Sequence, residues 1–249
     1  MACIKLSLFF FITLFLLAPF LLGKFTNKYL FRTRLAVFIK IFWSQIGLWI
    51  CRVKIEVRGV NNCGVNAYVS NHVSWLDILT LQSILDLTFI AKSEVRSWPG
   101  FGFLAMIANT IFVDRRVMAA KGPQANLYQA LKRGEKLCFF PEGTSTDGSF
   151  VLPFKSSLFE VFFIFDATQD LDTLIQPISL IYSHSDPIRP NIFGWWGEMA
   201  LVPHIFHVLL NGCPGKVLLI FHEALIVSEN TNRKKLAKSA EILIRGSFD

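Results

Sequence analysis

Two short segments of this chain carry the side chains best suited to chemistry. The segment from Asn71 to Asp77 places a histidine five residues before a carboxylate, directly after a strand-like apolar run. A histidine can act as a general base near neutral pH, and a carboxylate can fix its tautomer. The segment from Phe140 to Ser145 forms a Pro-Glu-Gly turn after a second strand-like run. A base that takes the proton of a hydroxyl and a polar turn that binds a substrate head group are the parts of an acyl-transfer site.

Each segment taken alone is also compatible with a structural role. For catalysis, His72 would lie in the loop and Asp77 in the first turn of the next helix, with Ser74 as the N-cap of that helix. Asp77 could instead be a plain first-turn acid favoured by the helix dipole. Glu142 and Gly143 could belong to an ordinary strand-to-loop turn in which the glycine adopts a positive φ. Both segments follow a predicted strand, however, and binding sites of α/β sheets gather at the carboxyl ends of strands. That placement favours a role of both segments in catalysis or binding over a purely structural role.

The rest of the chain alternates between strand-like and helix-like segments. The predicted strands cover residues 54–60, 67–69, 88–91, 110–113, 137–140, 174–182 and 217–221, and the predicted helices cover 76–85, 122–133, 156–165 and 234–244. This alternation predicts an α/β fold with a mixed, largely parallel sheet flanked by helices.

The composition indicates a globular body with a membrane-attached region. Hydrophobic residues make up 53% of the 249 residues, and the mean hydropathy is +0.46, which is high for a freely soluble protein and low for a polytopic membrane protein. The net charge of +7 could serve solubility alone, or it could attract the protein to anionic lipid head groups. Nucleic acid is not predicted as a partner, because the basic residues are scattered rather than clustered.

The N-terminus predicts two membrane-associated helices in residues 1–52, ahead of a catalytic domain in residues 53–249. Apolar stretches run from Leu6 to Leu22 and from Leu35 to Cys51. They could form a helical hairpin in one leaflet; a true span, a cleaved signal peptide and two core helices are the alternatives. The basic residues that follow the first stretch place the body on the cytoplasmic face of the cell (inner) membrane. These basic residues are Lys24, Lys28, Arg32 and Arg34.

Neither the cysteines nor the remaining histidines predict a metal site. The five cysteines lack CxxC spacing, which favours reduced thiols over a disulfide framework or a zinc site. His204 and His207 have helical spacing but no evident third ligand, so we expect them to be structural.

Four blocks of the sequence, in order, resemble those of the PlsC-like glycerolipid acyltransferases, the family that includes 1-acylglycerol-3-phosphate acyltransferase. The resemblance covers residues 55–182 and is supported by Ala91 to Glu94 before the second block and Pro153 to Lys155 after the third. The four blocks are Asn71 to Asp77, Ile111 to Arg116, Phe140 to Thr144 and Ile175 to Ser179.

The resemblance implies a role for each matching residue. His72 would be the general base for the acceptor hydroxyl, and Asp77 would orient it. Arg115 or Arg116 would bind the acceptor's phosphate. The other implied contacts to the acceptor are Glu142, Gly143 and Thr144 for the head group, Lys92 for positive charge and Pro177 for the shape of the pocket. The donor would be acyl-CoA or acyl carrier protein, the product phosphatidic acid, and no metal or cofactor is implied.

Two departures from the family pattern bear on the acceptor. Ser145 follows Thr144 where the family often has an arginine, so one phosphate-binding charge is missing. The segment from Trp195 to Met199, with Pro203 and His204, is similar to the lyso-ornithine lipid acyltransferase branch, whose acceptor is zwitterionic. The resemblance implies transfer to the sn-2 hydroxyl of 1-acylglycerol-3-phosphate for phospholipid synthesis. Acylation of lyso-ornithine lipid or another lysolipid is the alternative.

Two further function classes are weighed against acyl transfer. A lipid-binding protein without activity would not need the base and acid of the first segment. A serine hydrolase is disfavoured because the sequence has no G-x-S-x-G elbow.

Overall fold

A computed structural model describes residues 2–26, 34–114, 121–169, 171–186, 188–189, 191–211 and 214–248. The α-helices are α1 (Ala2–Thr26), α2 (Arg34–Ile50), α3 (Leu76–Gln82), α4 (Phe101–Ile107), α5 (Lys121–Lys132), α6 (Glu160–Asp166), α7 (Leu201–Asn211) and α8 (Arg233–Arg245). The strands are β1 (Val53–Arg58), β2 (Ala67–Ser70), β3 (Thr88–Lys92), β4 (Ile111–Val113), β5 (Leu137–Phe139), β6 (Leu174–His184), β7 (Gly215–Phe221) and β8 (Leu225–Ile226).

The eight strands form one sheet in the order β1-β7-β6-β2-β5-β3-β4, with β8 pairing with β6. The pairs β2–β5, β2–β6, β3–β5 and β3–β4 are parallel, whereas β6–β8 is antiparallel. Parallel neighbouring strands need a crossover connection, and one of the helices α3 to α6 lies between each two successive strands from β2 to β6. The predicted α/β fold with a mixed, largely parallel sheet is confirmed.

The chain divides into two compact units, each built from separate stretches. One unit comprises residues 57–72, 87–180 and 219–249. Its core packs strand residues such as Val69 and Phe139 against α6 and α8. Phe139 meets Phe159 edge-on and stacks on Phe162, with ring centroids 5.2 and 6.0 Å apart. Such aromatic packing stabilises the strand end that leads into the Pro-Glu-Gly turn.

The other unit comprises residues 1–56, 73–86 and 181–218. Within it α2 packs against α1 and α3, and α7 packs against α1. Gly47 allows the close approach of α2 and α3, because a Cβ there would lie 2.9 Å from a methyl carbon of Leu79. The indole N–H of Trp43 donates to the hydroxyl of Thr13 at 2.9 Å, which satisfies two polar groups between α1 and α2.

Helix α1 contains an 18-residue window, Ile4–Leu21, that is long and apolar enough to cross a membrane by length and composition. Its mean hydropathy is 2.3, and only 6% of the window is buried within the protein. Such exposure excludes a role for this window as a core helix of the folded chain. Lys28 and Arg32, predicted to flank the helix with positive charge, lie outside the described residues. The predicted boundary after residue 52 stays a prediction.

Most predicted elements match observed ones to within a few residues, but α4, β8 and α7 were not predicted. Helix α7 follows the Gly- and Trp-rich residues 194–197, and Pro203 lies in its first turn, where proline is tolerated. The free cysteines of the described chain are Cys51 and Cys138, both buried, and the exposed Cys63.

Candidate active site

The ends of two neighbouring strands bring the two predicted segments together. Strands β2 and β5 are parallel, with Val69 opposite Phe139. Three residues beyond this pair, the chain reaches His72 on one side and Glu142 on the other. Because the carboxyl ends of parallel neighbours lie at the same edge of a sheet, seventy residues of sequence separation become a direct contact.

The backbone of His72 is held on both sides by the loop that contains the Pro-Glu-Gly turn. Its N–H donates to Oε1 of Glu142 at 2.6 Å, and its carbonyl accepts from the N–H of Thr146 at 2.9 Å. The second oxygen of Glu142 accepts from the N–H of Leu152 at 2.6 Å. Glu142 is only 2% exposed. Its carboxylate therefore braces the loop and the peptide of His72 at once.

The imidazole of His72 stacks on the ring of Phe140, with centroids 4.1 Å apart and planes 15° apart. Phe140 in turn stacks on Phe89, with centroids 6.5 Å apart. A ring held flat against another ring has few accessible rotamers, so the direction of its nitrogens is restricted. His72 is partly exposed, which leaves access for a substrate.

Asn71, the residue before His72, continues the pairing of β2 with β6 through its side chain. Its Nδ2 donates to the carbonyl of Leu180 at 2.9 Å, and its Oδ1 accepts from the N–H of Leu180 at 2.8 Å. The side chain is 1% exposed. An amide can satisfy both backbone groups because it offers one donor and one acceptor side by side.

Asp77 lies in the first turn of α3 and is fully buried. Its Oδ2 accepts from the N–H of Val73 at 2.7 Å and from that of Ser74 at 2.9 Å. The prediction that Ser74 caps α3 is wrong, because the N-cap position is occupied by Trp75 and no side chain caps there. The Asp77 carboxylate binds the backbone upstream of the helix instead, and this makes a separate serine cap unnecessary.

Tyr182 is a site residue that the sequence did not reveal. Its hydroxyl lies 3.2 Å from the hydroxyl of Thr80 and beside the carboxylate of Asp77. Burial raises the pKa of Tyr182 well above its usual value near 10, and the negative charge of Asp77 raises it further. The side chain is therefore a neutral phenol that can donate to a carboxylate. No short motif signals it, because it lies on β6, more than a hundred residues after Asp77.

The remaining predicted contacts have different degrees of exposure. Gly143 is buried with a φ of +83°, which confirms the positive φ expected of this turn. Thr144 and Lys92 are exposed, and Pro177 is buried in β6, where its carbonyl accepts from the N–H of His222 at 3.0 Å. Their roles toward a substrate stay predictions. Arg115 and Arg116 lie outside the described residues.

Among the residues that the structure describes, no group of three or more His, Cys, Asp or Glu side chains could hold a metal ion. His204, expected to be structural, is 7% exposed, and its Nδ1 accepts from the indole N–H of Trp75 at 3.0 Å. His207 lies one turn further along α7, exposed and near the side-chain amide of Asn211.

Comparison with known proteins identifies the family to which this arrangement belongs. The family model described as Acyltransferase matches residues 54–181. A lyso-ornithine lipid O-acyltransferase from Rhodobacter capsulatus is 39% identical over 206 residues, which cover 82% of this chain and 73% of the relative. The chain belongs to the acyltransferase family. The matched range contains both segments that meet at the sheet edge.

Two further similarities place this acyltransferase within the family. A 1-acyl-sn-glycerol-3-phosphate acyltransferase from Neisseria gonorrhoeae is 39% identical over 92 residues, which cover 36% of each chain. The crystal structure of the 1-acyl-sn-glycerophosphate (LPA) acyltransferase PlsC from Thermotoga maritima aligns with 100% of this chain and 96% of its own, at a TM-score of 0.63 and 20% identity. This last similarity shows that the acyltransferase shares the PlsC fold.

Proposed function

We propose that this acyltransferase is a lyso-ornithine lipid O-acyltransferase. It moves a fatty acyl group from a thioester, acyl-CoA or acyl carrier protein, to the free hydroxyl of a lyso-ornithine lipid. The observation that carries this proposal is the extent of similarity: the relative of that name matches 82% of the chain, whereas the relative that acts on 1-acylglycerol-3-phosphate matches 36%.

Two sequence features support the zwitterionic acceptor. Ser145 follows Thr144, so this position adds no positive charge for a phosphate. Trp195 to Met199, Pro203 and His204 lie outside the family-model match, which ends at residue 181, but within the stretch where this chain resembles the lyso-ornithine branch. Residues outside the catalytic core that the family shares can differ between enzymes that use different acceptors.

His72 is the general base of the proposed reaction. It takes the proton of the acceptor hydroxyl as the oxygen attacks the thioester carbonyl; a C–O bond forms, the C–S bond breaks, and the departing thiolate receives the proton. The stacking on Phe140 and the two backbone hydrogen bonds to the Pro-Glu-Gly loop support this role, because they fix the ring before substrate arrives.

Asp77 is the orienting acid of the same proposal. A carboxylate near the imidazole would hold one tautomer and stabilise the imidazolium that forms during transfer. Its burial and its hydrogen bonds to the backbone of Val73 and Ser74 support this role, since a rigid carboxylate loses little entropy when it orients a partner.

The N-terminal helices provide the proposed attachment to the cytoplasmic face of the membrane. Helix α1 exposes large apolar side chains, including Phe11 at 67% and Phe15 at 78%, and α2 exposes Phe38 and Trp49. Exposed apolar surface of this extent favours transfer into lipid, where the lysolipid acceptor also resides. Charged residues near the end of α1, such as Lys24, support the orientation.

A second candidate function is acylation of 1-acylglycerol-3-phosphate to phosphatidic acid. The specific observation in its favour is the second block, in which Arg115 and Arg116 follow Ile111 to Asp114 as they do in phosphate-binding family members. A guanidinium is well shaped for a phosphomonoester.

An acceptor panel tests both candidates. The detergent-held enzyme receives labelled acyl-CoA or acyl carrier protein together with lyso-ornithine lipid, lysophosphatidic acid or lysophosphatidylethanolamine, with His72→Ala in parallel. We expect transfer chiefly to lyso-ornithine lipid and a loss of at least about 10²-fold in His72→Ala. Preferential transfer to lysophosphatidic acid would replace the first proposal with the second, and full turnover by His72→Ala would remove His72 as the base.

A further inference from the structure

Trp75, which lies three residues after His72 within the first motif, is tied to a helix far along the chain. Its indole N–H donates to Nδ1 of His204 on α7 at 3.0 Å. Trp75 is partly exposed, whereas His204 is buried. A tryptophan at the edge of a site needs a fixed acceptor if its large ring is to keep one orientation.

The hydrogen bond from Trp75 determines the tautomer of the His204 imidazole. An indole N–H is only a donor, so Nδ1 must offer its lone pair and any ring proton must reside on Nε2. Burial lowers the pKa of His204, and the nearby His207, whose ring centroid is 6.3 Å away, lowers it further. Backbone hydrogen bonds with Gly194 and Ile192 act in the opposite direction, but the net shift is downward.

A second contact holds the same loop from the same part of the chain. The backbone N–H of Trp195 donates to the carbonyl of Val73 at 2.8 Å. Val73 is thereby held at both of its peptide groups, because its N–H already donates to Asp77. Residues 192–204 thus contact the backbone of Val73 and the side chain of Trp75, on either side of Ser74.

We propose that His204 is a positioning residue for acyl transfer, which acts through the indole of Trp75 to fix the loop between His72 and Asp77. The inference rests on the proposed roles of His72 and Asp77. His204 acts without contact to the reacting atoms. Its Nδ1 accepts from the indole N–H of Trp75, and the N–H of Trp195 donates to the carbonyl of Val73. These two hydrogen bonds hold the loop in one conformation. Loss of the acceptor therefore affects turnover more than binding.

The test compares three replacements of His204. Asn places an acceptor oxygen near the position of Nδ1, Gln places its polar atoms one bond further out, and Leu has no acceptor. We expect His204→Leu to lower kcat about tenfold, the size of one lost hydrogen bond, with KM changed less than about twofold. His204→Asn should recover most of the loss and His204→Gln less. His207→Leu, on the exposed side of the same helix, is the matched control and should match wild type.

A double-mutant cycle separates positioning from packing. Trp75→Phe keeps the aromatic packing but removes the donor, so in that background His204→Leu should lower kcat no further. Additive losses, or a kcat of His204→Leu equal to that of wild type, would overturn the inference. If His204→Leu does not fold, judged by circular dichroism, Trp75→Phe alone must lower kcat about tenfold or the inference fails.

The His72→Ala variant keeps the two proposals distinguishable. Inactivity of His72→Ala together with wild-type turnover of His204→Leu would remove the positioning role and leave the proposed function intact. Full activity of His72→Ala would remove the base, and with it the positioning role that depends on that base.

Discussion

The backbone N–H of His72 donates to the carboxylate of Glu142 at 2.6 Å. The resemblance to acyltransferases implied that Glu142 binds the acceptor head group. Its buried carboxylate has one oxygen on the peptide of His72 and the other on that of Leu152. Glu142 therefore connects its own loop to the peptide of His72, and we infer that Glu142 contributes to catalysis by holding His72 in place.

Glu142→Gln should destabilise the fold and lower kcat. The amide keeps one acceptor oxygen but turns its NH₂ group toward a backbone N–H, so a buried donor loses its partner at a cost of about 1–3 kcal/mol. Urea unfolding and steady-state kinetics measure the two effects. Glu94→Gln makes the same charge change at an exposed position and serves as the control. Equal stability of the two variants would contradict the bracing role.

Asp77→Asn should lower kcat by about 10²–10⁴-fold while leaving acceptor KM within a few-fold. Asparagine can still accept from Val73 and Ser74 through its carbonyl oxygen, so the loop keeps its backbone contacts. What it loses is the negative charge that would stabilise an imidazolium. Single-turnover kinetics with labelled donor give the chemical step directly. A variant with normal turnover would show that Asp77 is only a structural acid.

Tyr182→Phe removes a buried hydroxyl that lies beside Thr80 and Asp77. The variant should lose about 0.5–1.5 kcal/mol of stability, the net value of one hydrogen bond. Its kcat should fall less than that of Asp77→Asn, because the carboxylate remains charged and bound to the backbone. Kinetics and thermal unfolding of the single and double variants test this order. A larger fall for Tyr182→Phe would indicate a direct role of the phenol.

Stability in acid should depend on Glu241. Burial acts to raise its pKa, but hydrogen bonds from Lys238 and from the N–H of Phe154, together with the charge of Arg245, lower the pKa below its usual value near 4.5. A carboxyl with a lower pKa in the folded state stabilises the fold above about pH 4.5, and this stabilisation disappears as pH falls through the folded-state pKa.

Glu241→Gln should therefore cost about 1.5–3 kcal/mol at pH 7 and flatten the loss of stability below pH 4.5. Urea unfolding between pH 3 and 7 measures both effects. The control is Glu160→Gln, whose carboxylate forms an exposed pair with Arg233 at 3.4 Å. Exposed pairs contribute about 0–1 kcal/mol, so this variant should follow wild type across the range. Identical pH curves for all three proteins would contradict the role of Glu241.

Membrane attachment should be sensitive to charge on α1. Phe15→Lys replaces a side chain that is 78% exposed, and a lysine at the centre of an inserted helix costs about 2.5–3.5 kcal/mol. Flotation with liposomes should show a smaller bound fraction. Ile242→Lys changes a side chain that is 58% exposed on α8 and should float as wild type does. If both variants float equally, α1 is not the main attachment.

The sequence predicted the sheet and the place of each motif directly after a strand, because both depend on local patterns. Apolar runs mark the strands, and each motif follows one. It did not predict the cap of α3, since Ser74 fits the N-cap preference equally well and only the folded loop shows that Asp77 binds the backbone there. It also did not predict that Tyr182 and His204 lie beside residues of the first motif. Contacts made across more than a hundred residues leave no periodic or spacing signal.

Asn71 has a consequence for the fidelity of strand pairing. Its side chain imitates one more residue of β2 and occupies both backbone groups of Leu180, so the pair β2–β6 ends at a defined place. A slip of β2 by one residue would leave that amide opposite the wrong partner and turn every side chain of the strand to the opposite face. The amide thus specifies the register of β2 against β6. The position of His72 relative to the last residue of β2 is therefore set before any lipid arrives.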